Sequence, residues 1–200
     1  IVGKLSEIAD EQAVRAPAET SADGDRAIQM HGSNLQIDQA GQPVGGTVDQ
    51  FRIYDGNQLA MTVSGFAPVS LATFYQNITV NPTATYYYLN SLVAGDTTAT
   101  GSAFADDIEV GAGNDTVSAG GGDDKIHKWQ SGNLTANGGA GTDTLLFMAD
   151  AGDPYPTPFA QQLVVNLLTG AGKNPYGGLL TLSNIENVVG TSQADSITGN

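Results

Sequence analysis

A chain of 200 residues with 21 Asp plus Glu against seven Lys plus Arg carries a formal net charge of −14. That balance makes nucleic acid and anionic membrane surfaces poor partners and draws divalent cations. There is no Cys, which removes disulfides and thiolate metal sites, and no apolar run approaches the roughly eighteen residues that a membrane-spanning helix needs.

In chain order, residues 4–15 place Leu5, Ile8 and Ala9 at helical spacing and end before Pro17, which predicts a short helix. The polar run 19–25 reads as loop. Residues 27–30, 34–38, 47–54 and 58–64 alternate or cluster apolar side chains as strands do, with Asp55-Gly56 marking a hairpin between the last two. Ser70 caps a turn containing Leu71, Phe74 and Tyr75. Asn81-Pro82 opens a second helix through Leu89, Leu92 and Val93 that closes at Gly95, although Tyr86-Tyr87-Tyr88 pulls toward strand. Residues 1–100 thus read as an α+β cap of antiparallel strands and short helices, the cover that the first coil of a repeat array needs.

Over residues 101–127 the pattern changes. Asp106, Asp115 and Asp124 recur every nine residues, and Ile108, Val117 and Ile126 follow each two places later. A unit with one apolar side chain cannot bury it alone, so a fixed short period means a stack of copies. Each unit turns on glycine, as in Val110-Gly111-Ala112-Gly113-Asn114-Asp115 and Ala119-Gly120-Gly121-Gly122-Asp123-Asp124. The glycines allow positive φ and a sharp turn, and the x-aliphatic-x triplet makes a very short strand. Two units close one flattened coil, which sets Asp106 beside Asp124. Carboxylates so close repel unless a hard cation lies between them, and calcium takes six to eight oxygens from carboxylates and carbonyls. A disordered linker would not hold an aliphatic residue at the same phase three times running.

Residues 128–136 carry Asn133 where Asp is expected. The next turn, Gly138-Gly139-Ala140-Gly141-Thr142-Asp143, arrives one residue late, which predicts one bulged coil. From 148 to 183 the metal turns lapse. The runs Leu163-Val164-Val165-Asn166-Leu167-Leu168 and Gly178-Leu179-Leu180-Thr181-Leu182 are too apolar for open loop and are expected to continue the stack as longer coils, with turn-rich excursions at 152–158 and 170–178. Asp153-Pro154 lies in one of them and reads as an ordinary Pro-rich loop. A last unit ending Ala194-Asp195-Ser196-Ile197-Thr198 follows Asn184-Ile185-Glu186-Asn187-Val188, so the pattern is expected to stop mid-run and its end coil to self-associate.

The spelling of 101–127, with 138–146 and 184–200, resembles the calcium-binding nonapeptide of RTX (hemolysin-type) proteins. The resemblance implies a mainly β fold, a parallel β-roll (β-solenoid) over 101–200 with a non-metal insertion around 148–183. It implies Ca2+ as the cofactor, held by the carboxylates of Asp106, Asp115, Asp124 and Asp143. Main-chain oxygens would come from Ser102, Phe104, Gly111, Gly113, Ala119 and Gly121. Asn133 departs from the pattern but still offers an amide oxygen, and Asp195 lacks a same-side partner. One aliphatic side chain per nine residues is a thin core against the entropy of ordering a glycine-rich chain, so folding and calcium binding are expected to be one event.

Other chemistry is sparse. His31 and His127 sit in no nucleophile or metal motif. The stretch Gly170-Ala171-Gly172-Lys173-Asn174 lacks the early Gly and the Ser/Thr of a phosphate loop and reads as a turn. No catalytic group is nominated, so the protein is expected not to be an enzyme. The expected function is a secreted, extracellular calcium-binding module with a structural or adhesive role, exported by the one-step type I route typical of RTX proteins. The alternatives are an accessory region of a secreted degradative enzyme, or a calcium-dependent glycan-binding module with Trp129 and Tyr86-Tyr87-Tyr88 as stacking faces.

Overall fold

The structure, a computed structural model, describes residues 6–7, 13–21, 24–55, 58–78, 92–147 and 161–199. The chain is mainly β and divides into two compact units, Ile1–Leu92 and Val93–Asn200.

In the first unit, β1 (Ser6–Glu7), β2 (Ala13–Ser21), β3 (Gly24–Ile37), β4 (Pro43–Asp55) and β5 (Gln58–Ser70) follow one another as antiparallel neighbours. Of the stretch 4–15, where a helix is expected, the described residues 6–7 and 13–15 are strand: Ser6 and Glu7 pair with Arg15 and Val14, and Val14 pairs with Met30. A helix of that length is marginal by itself, whereas a strand there joins a ladder that satisfies its backbone. The expected loop at 19–25 is also mostly strand, since Thr20 pairs with Asp25 and Ser21 with Gly24. The two short strands expected at 27–30 and 34–38 are one strand, β3. Register shifts at His31/Gly32 and Ser33/Gln36 and a left-handed Asn34 (φ 53°) interrupt its alternation without ending it. The hairpin expected at Asp55-Gly56 is in place, with Asp55 opposite Gln58.

Helix α1 (Leu71–Ile78) follows β5 directly. The Ser70 hydroxyl accepts the Thr73 N–H at 3.1 Å, satisfying a helix-start donor that would otherwise lack a partner. Leu71, Phe74 and Ile78 are buried; the Phe74 ring lies 5.7 Å from Phe51, itself 5.8 Å from Phe66. The second helix expected from Asn81 falls largely on 79–91, outside the described residues.

The second unit is built on the nine-residue period. β6 (Thr98–Thr100), β8 (Asp115–Gly121) and β10 (Leu134–Ala140) pair in parallel, and β7 (Asp107–Val110), β9 (Lys125–Lys128) and β11 (Thr144–Leu146) pair in parallel in a second sheet. Successive units thus feed alternate sheets. Ala99, Val117 and Ala136 stack in register, as do Ile108, Ile126 and Leu145, and all are buried. The period begins before the expected boundary at 101, because β6 already pairs with β8 and Ala99 stands nine residues before Ile108.

Between the second and third coils the register grows from eighteen to nineteen residues, as the late turn predicts: Ile108 faces Ile126, which faces Leu145. The slip falls earlier than the spelling of the turns suggests. Leu134, not Asn133, pairs with Asp115, so the extra residue lies in the turn after β9 and Asn133 stands at the position of Asn114.

Of the stretch 148–183, residues 148–160 lie outside the described residues, and of its two apolar runs only the last continues the stack. β12 (Val164–Asn166), β13 (Ala171–Lys173) and β14 (Leu179–Ser183) form an antiparallel meander. Of these, β14 returns to the stack, parallel to β10, with Leu180 opposite Leu134. β15 (Asn187–Val189) joins β11 in parallel, and β16 (Ser196–Thr198) joins β12. The reason is local: 161–178 has glycines but no acid-x-aliphatic triplet after them to carry the chain to the opposite sheet, and its apolar run folds back on itself as hairpins.

Candidate calcium-binding edge

The nine-residue turns fall alternately on two edges of the second unit, and the two edges differ. On one, the register stacks Asp106, Asp124, Asp143 and Glu186. The first three main-chain N–H groups of this column donate to the carboxylate of the next coil: Asp106 to Asp124 Oδ1 at 2.8 Å, Asp124 to Asp143 Oδ1 at 2.9 Å, Asp143 to Glu186 Oε2 at 2.8 Å. Asp106 Oδ2 accepts the N–H of Ser102 at 2.6 Å. Asp124 and Asp143 are buried, and the Oδ2 of each has no hydrogen-bond partner.

A buried carboxylate oxygen without a donor is costly, and here the like charges are stacked as well. Burial first, then the charges of Asp143, Asp106 and Asp123, push the Asp124 carboxyl above its ordinary value, against the Asp106 N–H donated to it. A hard cation would satisfy both oxygens and remove the repulsion. Among the described residues no three His, Cys, Asp or Glu side chains converge as a ready side-chain metal site. The remaining donors would therefore be carbonyls, as calcium accepts.

Four of the six expected carbonyl donors belong to this edge. Ser102 O takes the Gly121 N–H at 2.9 Å. A Cβ on Gly101 would strike Ala119 O and come within 2.6 Å of Asp106 Oδ2, and one on Gly122 would meet Phe104 O at 2.8 Å. Glycine is thus required where carboxylate and backbone crowd together. Asp123, beside Asp124, is exposed and accepts the Thr142 N–H at 2.9 Å, outside the column. Glu186 completes the column and was missed from sequence; the signal was available, since Glu186-Asn187-Val188 repeats the acid-x-aliphatic spacing of Asp106-Asp107-Ile108 with Glu in place of Asp.

The other edge departs from expectation. In register with Asp115 stand Thr97 and Leu134, neither a carboxylate. Asp115 Oδ1 accepts the Thr97 N–H at 3.0 Å, and Oδ2 accepts Lys128 Nζ at 2.5 Å. The same ammonium donates to Gly111 O at 2.5 Å, Gly113 O at 3.1 Å and Ser131 O at 3.4 Å. Asp115, Gly111 and Gly113, expected as calcium ligands, therefore face a lysine. Burial raises the Asp115 carboxyl and lowers the Lys128 ammonium, and their mutual hydrogen bond and attraction oppose both shifts. Asn133, also expected as a ligand, is engaged between coils: its Nδ2 donates to Asn114 Oδ1 at 2.8 Å and its Oδ1 accepts the Leu179 N–H at 2.8 Å.

Asp195, which has no same-side partner by spacing alone, finds partners across the fold. Its oxygens accept the Leu163 N–H at 3.0 Å and the Thr191 N–H and hydroxyl at 2.5 and 2.9 Å. Burial works against its ionisation, but the donors from Thr191 and Leu163 outweigh it and hold the carboxyl below the usual range.

Glycine turns, a buried aliphatic every nine residues and a column of acidic side chains define a calcium-binding repeat. The family model of the RTX calcium-binding nonapeptide repeat matches residues 93–127 in 4 copies, so this stretch is an RTX array. The match starts at Val93, where the second unit starts, and takes in Gly95-Asp96-Thr97-Thr98-Ala99, a copy with Thr97 at the acidic position. No curated protein and no solved structure matches the chain.

Proposed function

We propose that the protein is a secreted, non-catalytic structural or adhesive module whose second unit is a parallel β-roll held in shape by calcium. The observation that carries this reading is the pair of partnerless buried oxygens, Asp124 Oδ2 and Asp143 Oδ2, in a column that begins within the RTX array. Calcium binding there couples to folding, since the column repels itself without the ion. The low calcium of the cytosol keeps such a unit loose during export, and the higher calcium outside closes it.

Circular dichroism tests the reading. Adding calcium to the chelated protein is expected to increase strand signal, with a midpoint around 10⁻⁴–10⁻³ M, the range of extracellular modules; full strand content in chelator at low salt overturns it. Intact mass of the native protein separates a stand-alone module from an enzyme's accessory region, because only a species near 20.5 kDa leaves no room for a catalytic domain.

A further inference from the structure

We propose that the Lys128 ammonium occupies the cation position of the Asp115 turn, so that one edge of the repeat unit carries its own positive charge while the opposite edge depends on calcium. The proposal rests on the calcium reading of the Asp106 column.

Three observations carry it. The first is the donor set: two glycine carbonyls of one turn, Gly111 and Gly113, the turn's own carboxylate and the Ser131 carbonyl of the next coil surround a single Nζ. Carbonyls from two successive turns plus a repeat carboxylate are the oxygens a calcium ion would collect. The second is where the side chain starts. Lys128 pairs with Val110 and is fully buried, so it stands at an inward position that the coil before fills with an aliphatic residue. Burying an ammonium there is unfavourable unless its protons are satisfied, and the turn oxygens satisfy them. The third is the next turn along the same edge, where the buried Asn174 donates its Nδ2 to Gly132 O at 2.8 Å. Protein donors thus close two successive turns on this edge, whereas the acidic column keeps two buried oxygens without a donor.

The register slip explains why the lysine meets a single carboxylate. The extra residue lies between Trp129, whose N–H still bonds to Val110 O, and Leu134, which it sets opposite Asp115. This side of the array therefore has one carboxylate where a calcium pair would have two, and a single positive charge balances it.

The test is calcium stoichiometry by titration calorimetry on the full chain, with Trp129, the sole Trp, reporting folding by fluorescence. Lys128→Val reproduces Val110 and empties the turn. It is expected to bind one calcium more than the unmodified protein, and the double variant Lys128→Val/Asp115→Asn is expected to lose that ion again. Equal stoichiometry for Lys128→Val and the unmodified protein, or failure of Lys128→Val to fold in millimolar calcium, overturns the proposal. If the unmodified protein binds no calcium yet Lys128→Val gains one ion, the column reading falls and the lysine proposal stands. If neither binds, both fall.

Discussion

Asp124 and Asp123 are adjacent aspartates with opposite surroundings. Asp124 lies in the buried column between Asp106 and Asp143, and Asp123 is exposed against the Thr142 N–H. Asp124→Asn is therefore expected to weaken calcium binding at least about tenfold, ~1.4 kcal/mol, with Asp123→Asn close to unmodified. Calorimetric titration of the two checks this, and equal losses would show that the column is not the binding edge. The same carboxyl sets a pH dependence. Without metal its value in the folded chain is raised above the ordinary 3.8, so the folded state holds a proton that the unfolded chain gives up. That contribution is full below the unfolded value and is lost as pH rises through the folded one. The melting temperature in chelator is expected to fall as pH rises from about 4. In saturating calcium, which binds the ionised form, the trend should reverse. Parallel melting curves over the same pH series, with and without calcium, measure both slopes.

Among the elements, turns decide more than strands. The strands of the second unit are three to seven residues long, too short to hold register without the stacked glycines between them. Gly120 (φ 108°) and Gly139 (φ 105°) sit one above the other, and a Cβ on Gly139 would come within 2.9 Å of the Gly120 carbonyl carbon. Left-handed backbone costs an L-residue roughly 1–2 kcal/mol before any clash. Gly139→Ala is thus expected to lower stability by at least that amount in urea unfolding with calcium present. Gly95→Ala, where nothing lies within 4 Å of the added carbon, should stay within about 0.5 kcal/mol. Most antiparallel strands of the first unit were legible from alternation, and α1 from Ser70 and its apolar spacing. The strands at Ser6–Glu7 and from Ala13 were not, because the apolar spacing there suits a helix and only pairing of Ser6 and Glu7 with β2 shows strand at those residues.

For the molecule as a whole, net charge governs how calcium arrives. A net −14 concentrates calcium near the surface, and salt screens that attraction. The calcium midpoint followed by Trp129 fluorescence is expected to rise several-fold when ionic strength goes from about 0.01 to about 0.15 M, where the screening length falls from about 30 to about 8 Å. A midpoint indifferent to salt would mean that the long-range charge plays no part.

The nine-residue period by itself determined the repeat class, the eighteen-residue coil and the pairing of Asp106 with Asp124, because a fixed period of glycine, acid and aliphatic admits one way of stacking. It could not tell the two edges apart. Asp115 shares the acid-x-aliphatic spacing of Asp106 and Asp124, and only the tertiary structure brings Lys128, thirteen residues on, into its turn at 2.5 Å. Likewise Glu186 reaches the acidic column across 43 residues, after a meander whose apolar runs look like further coils. Local spelling sets which turns are possible; which side chain fills each turn depends on register across coils, and a slip of a single residue after Lys128 changed it.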